Sequence, residues 1–183
     1  MKNRILSTLA VVAILMSFAV AAIAGDHPSK SEHPAKETEP TVEEKMAGLQ
    51  AMCEETATAR AERHAEKSLY DRLGGYDKTH KCMEKIIELH LENDEIKHTM
   101  EGVDYEQLAD HLTDFVSAGT GGTAEYTGRD IKSAHEHLEL TDADFLSAGG
   151  DIVKAMKSME YGENEINEIL CILVSMKDQV VLK

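Results

Sequence analysis

Along most of the chain, apolar residues return every three or four positions rather than every second one. Met46, Leu49 and Cys53 do so within Val42 to Lys67, a stretch rich in Ala, Glu and Lys. This predicts one helix over 42–67, ahead of the main domain, with His64 solvated on it. "SLYDRL" starts a short amphipathic turn that breaks at Gly74-Gly75. A helix then resumes to about Asn93, with Met83, Ile86, Ile87 and His90 at offsets of three and four. Asp104 is expected to cap the next helix, which "GTGG" at 119–122 ends, and Gly128 punctuates the loop that follows. Ile131 to Leu138 supplies one or two turns. Thr141, with Asp144 three residues on, resembles a capping box opening a helix to about Met159. The final helix runs through "ENEINEILCILVSMKDQVVL", with Ile166, Ile169, Leu170, Leu173 and Met176 as its stripe. No segment sustains a period of two and no internal repeat is present, so the pattern predicts an all-α domain of short, unequal helices.

The first 41 residues follow a different logic. Lys2 and Arg4 precede an uncharged run from Ile5 to Ile23 that ends in Ala22-Ile23-Ala24. That is the order of a secretory signal peptide, so residues 1–24 are expected to be removed and the protein exported, to the periplasm. An uncleaved membrane anchor is the alternative; after cleavage no stable membrane association is expected. Residues 25–41 hold all three prolines and no large apolar side chain, and are expected to form a disordered linker.

Charge and cysteine content narrow the picture further. Beyond residue 24 the chain carries 17 basic residues against 34 acidic ones. Such a surface repels nucleic acid and anionic membranes, which are therefore not expected as partners. Cys53, Cys82 and Cys171 are an odd set, so an oxidising compartment allows one disulfide at most and leaves one thiol over. Cys82 in "KCMEKII" and Cys171 in "ILCILV" look like small buried apolar residues, while Cys53 belongs to a more polar segment. The pairing stays open. No C-x-x-C-H occurs, which argues against a covalently attached c-type haem.

Two apolar stripes each contain a histidine. Leu108, His111, Leu112 and Phe115 form one, and Ile131, Ala134, His135 and Leu138 the other. His137 lies about 200° around the helix from His135 and should face solvent. Taken singly, each stripe histidine reads as a core residue with one satisfied hydrogen bond. Two of them, on helices separated by a glycine break, suggest imidazoles pointing into one apolar space. A flat iron macrocycle would fit there, since haem iron commonly takes a neutral imidazole as ligand. "HEH" at 135–137 lacks the H-E-x-x-H spacing of a zinc peptidase, and no G-x-S-x-G, P-loop or dinucleotide fingerprint appears. The methionines read as core filler.

With "SLYDRLGG", the glycine pair at 121–122, "YTGRDIKSAH" from 126 and "LTDADF" ending at Phe145 in hand, residues 68–181 resemble a truncated haemoglobin of the first group. The order and spacing need no gap, and the tyrosine-glycine-apolar-x-x-x-His run is the most specific part. The resemblance implies a two-over-two helical sandwich over 68–183, with the 42–67 helix as an extra N-terminal element, and haem bound non-covalently. It implies His135 as the proximal iron ligand, Tyr126, Ile131 and Phe145 around the haem, and Gly121-Gly122 shaping the short proximal helix.

On the distal side the sequence departs from the family. The position of the oxygen-bonding tyrosine falls at Ile87, and that of the haem-packing phenylalanine at Met100. Leu108, Leu112 and Phe115 complete the expected pocket. His111 stands where some members use a histidine as a second axial ligand, so an internal sixth ligand, a hydrogen-bond donor and neither role all stay open. His90 and His98 are further alternatives, and Arg129 and Lys132 either pair with propionates or are surface cations. The implied function is reversible binding of oxygen or another diatomic gas. Bis-histidine iron would extend this to electron transfer with a redox partner protein; nitric oxide oxidation ranks lower without the tyrosine. A haem-free interaction module filled by Ile87, Met100 and Leu108 is the competing reading.

Overall fold

The computed structural model describes residues 39–182. The expected signal segment, and the linker up to residue 38, lie outside the described residues. Eight α-helices follow: α1 (Val42–Glu55), α2 (Ala57–Glu66), α3 (Leu69–Leu73), α4 (Gly75–Glu92), α5 (Tyr105–Thr120), α6 (Ile131–His135), α7 (Asp142–Ser158) and α8 (Glu163–Val180). A 3₁₀ turn at Lys97–Met100, which the apolar periodicity did not announce, connects α4 to α5. Among the described residues no helix is long and apolar enough to cross a membrane.

Local chemistry sets most of the boundaries. Asp104 accepts from the Gln107 amide and opens α5, while Thr141 and Asp144 form the expected reciprocal capping box on α7. Thr41 and Glu44 make a second such box at α1. Residues 42–67, expected as one helix, form two. Arg60 Nη2 donates to the Cys53 carbonyl at 2.5 Å, taking the acceptor that a continuous helix would give to the Ala57 amide. Thr56 occupies the break, with its hydroxyl donating to the Met52 carbonyl at 2.7 Å.

α4 packs on α5 and on α7, and α7 packs on α8, the pairings of a two-over-two arrangement. The main core lies where the two pairs meet. Leu69, Leu73, Cys82, Met83 and Ile86 from one side pack against Met156, Tyr161, Ile166 and Ile169 from the other. Tyr161 closes it by donating its hydroxyl to the Leu73 carbonyl at 3.0 Å. Cys82 is the free thiol, 2% exposed, and burial pushes its pKa up to about 11.

The N-terminal helices are fastened to this body. α1 packs on α7 and α8 with Met46 buried, and Cys53 is disulfide-bonded to Cys171 of α8. Cys171 is thus buried, as its surroundings suggest, but it is bonded rather than free. α2 buries no residue of its own. It is held instead by Arg63, whose Nε donates to Glu168 at 2.7 Å. Glu168, with its side chain 6% exposed, also accepts from Arg72, which reaches Glu165 at 2.6 Å. Two guanidinium groups thus share one buried carboxylate, the condition under which burying a charge is tolerable.

Candidate functional site

The stripe on α5 is one wall of the site. Leu108 and Leu112 pack against a second, smaller core of Ile87, Met100 and Ala109. Ile87 is supplied by α4 and Met100 by the 3₁₀ turn, where the Tyr105 hydroxyl holds the Met100 carbonyl at 3.3 Å. Ile87 and Met100 are both buried, and neither carries a hydrogen-bond donor. His111 and Phe115 emerge half-buried from the same helix face.

Tyr126 joins them from the loop after α5. Its ring meets Phe115 edge-on at 5.2 Å and His111 edge-on at 6.3 Å, a contact between the stripe and the loop that helical phase alone could not show. The Tyr126 hydroxyl donates to the Arg129 carbonyl at 2.6 Å, which turns the loop beneath the ring. A Cβ at Gly128 would lie 2.5–2.7 Å from that phenol, so any larger residue here would have to displace it. Burial pushes the Tyr126 phenol above its ordinary pKa, against the pull of Arg129. Neither nitrogen of His111 has a protein hydrogen-bond partner among the described residues.

The second histidine stripe is carried by α6. Asp130 caps it, accepting from the Ser133 amide at 3.0 Å and the Ser133 hydroxyl at 2.7 Å. The helix leans on α8 rather than on α5. His135, half-buried, places Nδ1 2.7 Å from the Ile131 carbonyl. A carbonyl can only accept, so Nδ1 carries a proton, and in the neutral ring Nε2 keeps its lone pair. Ile131 is half-buried beside it, and His137 is exposed, as its phase predicts.

The remaining expected residues separate. Phe145, in the first turn of α7, borders an apolar cavity between α1, α7 and α8. His98, Arg129 and Lys132 are exposed. His90 points toward α7, where Nδ1 meets Asp151 at 3.2 Å. Burial lowers the His90 pKa, partly offset by that carboxylate. Burial also pushes Asp151 upward, but bonds from Asn93, Lys154 and His90 outweigh it and hold the carboxyl below its ordinary value. Among the described residues no three His, Cys, Asp or Glu side chains converge as a metal site.

Comparison with known proteins identifies the family and the fold. The bacterial-like globin family matches residues 68–181. A group 1 truncated haemoglobin of Synechocystis sp. is 30% identical over 109 residues, spanning 57% of this chain and 88% of that protein. Another, from Mycolicibacterium paratuberculosis, is 23% identical over 122 residues, 67% of this chain and 90% of that one. The fold superposes on the truncated haemoglobin of Tetrahymena pyriformis in its Fe(III) form with a TM-score of 0.60 at 20% identity, covering 63% of this chain and 98% of that one. It superposes on the 2/2 haemoglobin of Synechococcus sp., in the cyanomet state and with covalently attached haem, with a TM-score of 0.59 at 25% identity, covering 63% and 99%. The sequence and the two-over-two helices therefore place this chain in the bacterial-like globin family, among the group 1 truncated haemoglobins.

Proposed function

We propose that the chain binds haem non-covalently between α5 and α6 and, through it, binds oxygen or another diatomic gas reversibly. The observation that carries this reading is the contact between His135 Nδ1 and the Ile131 carbonyl. This bond fixes the ring and, in its neutral form, leaves Nε2 as the donor to iron. Half-buried Leu108, Leu112, Phe115, Tyr126 and Ile131 supply the apolar faces that a macrocycle would cover. Haem iron supplies a coordination position that accepts a diatomic gas.

The chain's own residues govern that position. Ile87 and Met100 exclude water from the distal wall and donate no hydrogen bond. Tyr126 spends its proton on Arg129. His111 is the side chain left with an unengaged nitrogen on that wall, and we assign it as the second residue that would hold the iron at rest. It would then compete with an incoming gas, and binding would be slow. A donor pair of two imidazoles changes little with oxidation state, which suits exchange of electrons with a redox partner protein. We further propose that the protein is exported; the Cys53–Cys171 disulfide supports an oxidising compartment.

Haemin titration of residues 25–183 tests the reading. A saturable Soret shift at one equivalent is expected, with the pigment extractable by acid butanone. His135→Ala should abolish retention and His137→Ala should leave it intact. His111→Ala should turn a six-coordinate low-spin ferrous spectrum five-coordinate and speed carbon monoxide binding at least ten-fold. No Soret shift would overturn the haem assignment and favour an interaction module. An unchanged His111→Ala spectrum would overturn the second ligand.

A further inference from the structure

Met52, Cys53 and Cys171 bring three sulfur atoms together between α1 and α8. Cys171 Sγ is bonded to Cys53 Sγ and stands 3.9 Å from Met52 Sδ. A bridged sulfur has no proton to donate, so the Met52 contact is not a hydrogen bond. The spacing is that of a set of metal ligands. Sulfur donors stand about 2.3 Å from a metal ion, so three in a trigonal arrangement lie about 4 Å apart. Met52 and Cys171 already do. The two cysteine sulfurs need only part to about the same separation once the bridge opens. Their Cα atoms, 5.4 Å apart, allow this by side-chain rotation.

The backbone around these sulfurs is held without the bridge. At the break between α1 and α2, the Thr56 hydroxyl donates to the Met52 carbonyl at 2.7 Å. Arg60 Nη2 donates to the Cys53 carbonyl at 2.5 Å and its Nε to the Thr56 hydroxyl at 3.2 Å. Buried Met46 keeps α1 packed on α7 and α8. Arg60 also brings a positive charge to this segment. Two thiolates on a monovalent ion leave one net negative charge, which a guanidinium offsets. Met52 and Cys53 are half-buried and Cys171 is buried, so an ion would enter from the α1 side.

The donor set selects the ion. Two thiolates and a thioether are soft ligands, which suit Cu(I). Structural zinc takes four ligands, and among the described residues no third His, Cys, Asp or Glu joins the two cysteines. We propose that reduction of the Cys53–Cys171 bridge opens a three-sulfur site for one Cu(I) ion, with Cys53 and Cys171 as thiolate ligands and Met52 as the thioether ligand. A dithiol gives two electrons and two protons to the bridge and leaves as a disulfide. As Cu(I) binds, both thiols release their protons to water and two copper–sulfur bonds form. Met52 donates a lone pair, and no proton moves there. The disulfide is the closed state. Met52 and Cys53 precede the family-matching residues 68–181, so two of the three ligands are this chain's own addition. Neither His135 nor His111 takes part, so the inference does not rest on haem.

The test uses residues 25–183, with haem, where it is taken up, in the ferrous state. The protein is reduced with dithiothreitol, freed of it without air, and gel-filtered in Cu(I) buffered by bicinchoninate. Elemental analysis reads copper per chain, and the methyl resonance lost in Met52→Leu reads the thioether. The reduced parent and Cys82→Ala should each hold one copper with that methyl shifted. The oxidised parent, and the reduced Cys53→Ser, Cys171→Ser double variant, should hold none. Met52→Leu should weaken binding at least ten-fold. Zinc should leave the methyl unmoved. Copper on the double variant would assign it to Cys82 and overturn the site. A copper-free reduced parent, or one that loses its far-UV helical signal, would overturn it too. Undiminished binding by Met52→Leu, or a methyl shifted by zinc, would overturn the soft three-sulfur set, and equal binding by the oxidised protein would overturn the gate. A failed haemin titration leaves every one of these readouts intact.

Discussion

Consider removing the cross-link by replacing both Cys53 and Cys171 with alanine. The two positions are 118 residues apart, so the link closes a loop around nearly the whole globin domain. The chain-entropy relation for a loop of that length gives about 5 kcal/mol at 25 °C as a ceiling. Native disulfides typically contribute about 2–4 kcal/mol. Arg63 still ties α2 to Glu168 in the variant, but that contact is lost on unfolding and does not restrain the unfolded chain. A loss of about 3 kcal/mol is therefore expected. With a urea slope of about 2–3 kcal/mol per molar, the midpoint should fall by roughly 1 M or somewhat more. The slope itself should rise, because an unfolded chain without its tether exposes more surface. Circular dichroism at pH 7 follows both quantities. Thiol counting under denaturing, non-reducing conditions should find one reactive group, Cys82, in the parent. If one thiol is counted yet midpoint and slope match the variant's, the tether does not act through the unfolded chain, and the reasoning fails.

Further outcomes follow from other contacts. Glu168→Gln should cost about 2 kcal/mol, because the amide satisfies two guanidinium groups poorly while Arg72 keeps Glu165; a urea midpoint equal to the parent's would show the carboxylate is dispensable. The lowered His90 pKa means the unfolded chain takes up a proton more readily than the folded one. Its contribution is complete above about pH 6.5 and lost as pH falls through the lower folded value. Asp151 adds a second loss at more acidic pH, below the ordinary carboxylate range. His90→Gln should flatten the midpoint profile between about pH 6.5 and 5, and an unaltered profile would count against this pair. A Cβ at Gly122 would meet Ser117 Oγ at 2.2 Å and the Tyr70 ring at 2.7 Å. Gly122→Ala should therefore cost about 1–3 kcal/mol, read as a lower melting temperature; full tolerance would mean that Tyr70 moves aside freely.

Features that depend on neighbours in sequence were legible from the chain alone. Asp104 and Thr141 cap helices because a side chain three residues upstream reaches a free amide, and that geometry is written locally. His137 faces solvent because helical phase is a matter of counting. The order of "SLYDRLGG", "YTGRDIKSAH" and "LTDADF" carried the fold. Features that depend on distant residues were hidden. Nothing near Cys53 says that Cys171 is its partner rather than Cys82. Glu168 reads as an ordinary helix-surface acid until Arg63 and Arg72 arrive from 105 and 96 residues away. The break at Thr56 comes from Arg60 reaching backward to a carbonyl, which apolar spacing does not record. The site sits between these extremes. Helical phase placed His111 and His135 in their stripes, whereas the Tyr126 contacts and the Ile131 carbonyl needed the folded loop and helix.

Cys82 bears on how the molecule reaches this state. Three cysteines permit three different single bridges, and two of those would trap the residue that belongs in the core. A thiol with a pKa of about 11 is ionised in only about one molecule in ten thousand at pH 7, and the ionised form is the attacking one. Once the helices have closed around it, Cys82 can neither reach the bridge nor exchange with it at a useful rate. Collapse of the core around Cys82 removes the competitor and shields the Cys53–Cys171 link from exchange with it.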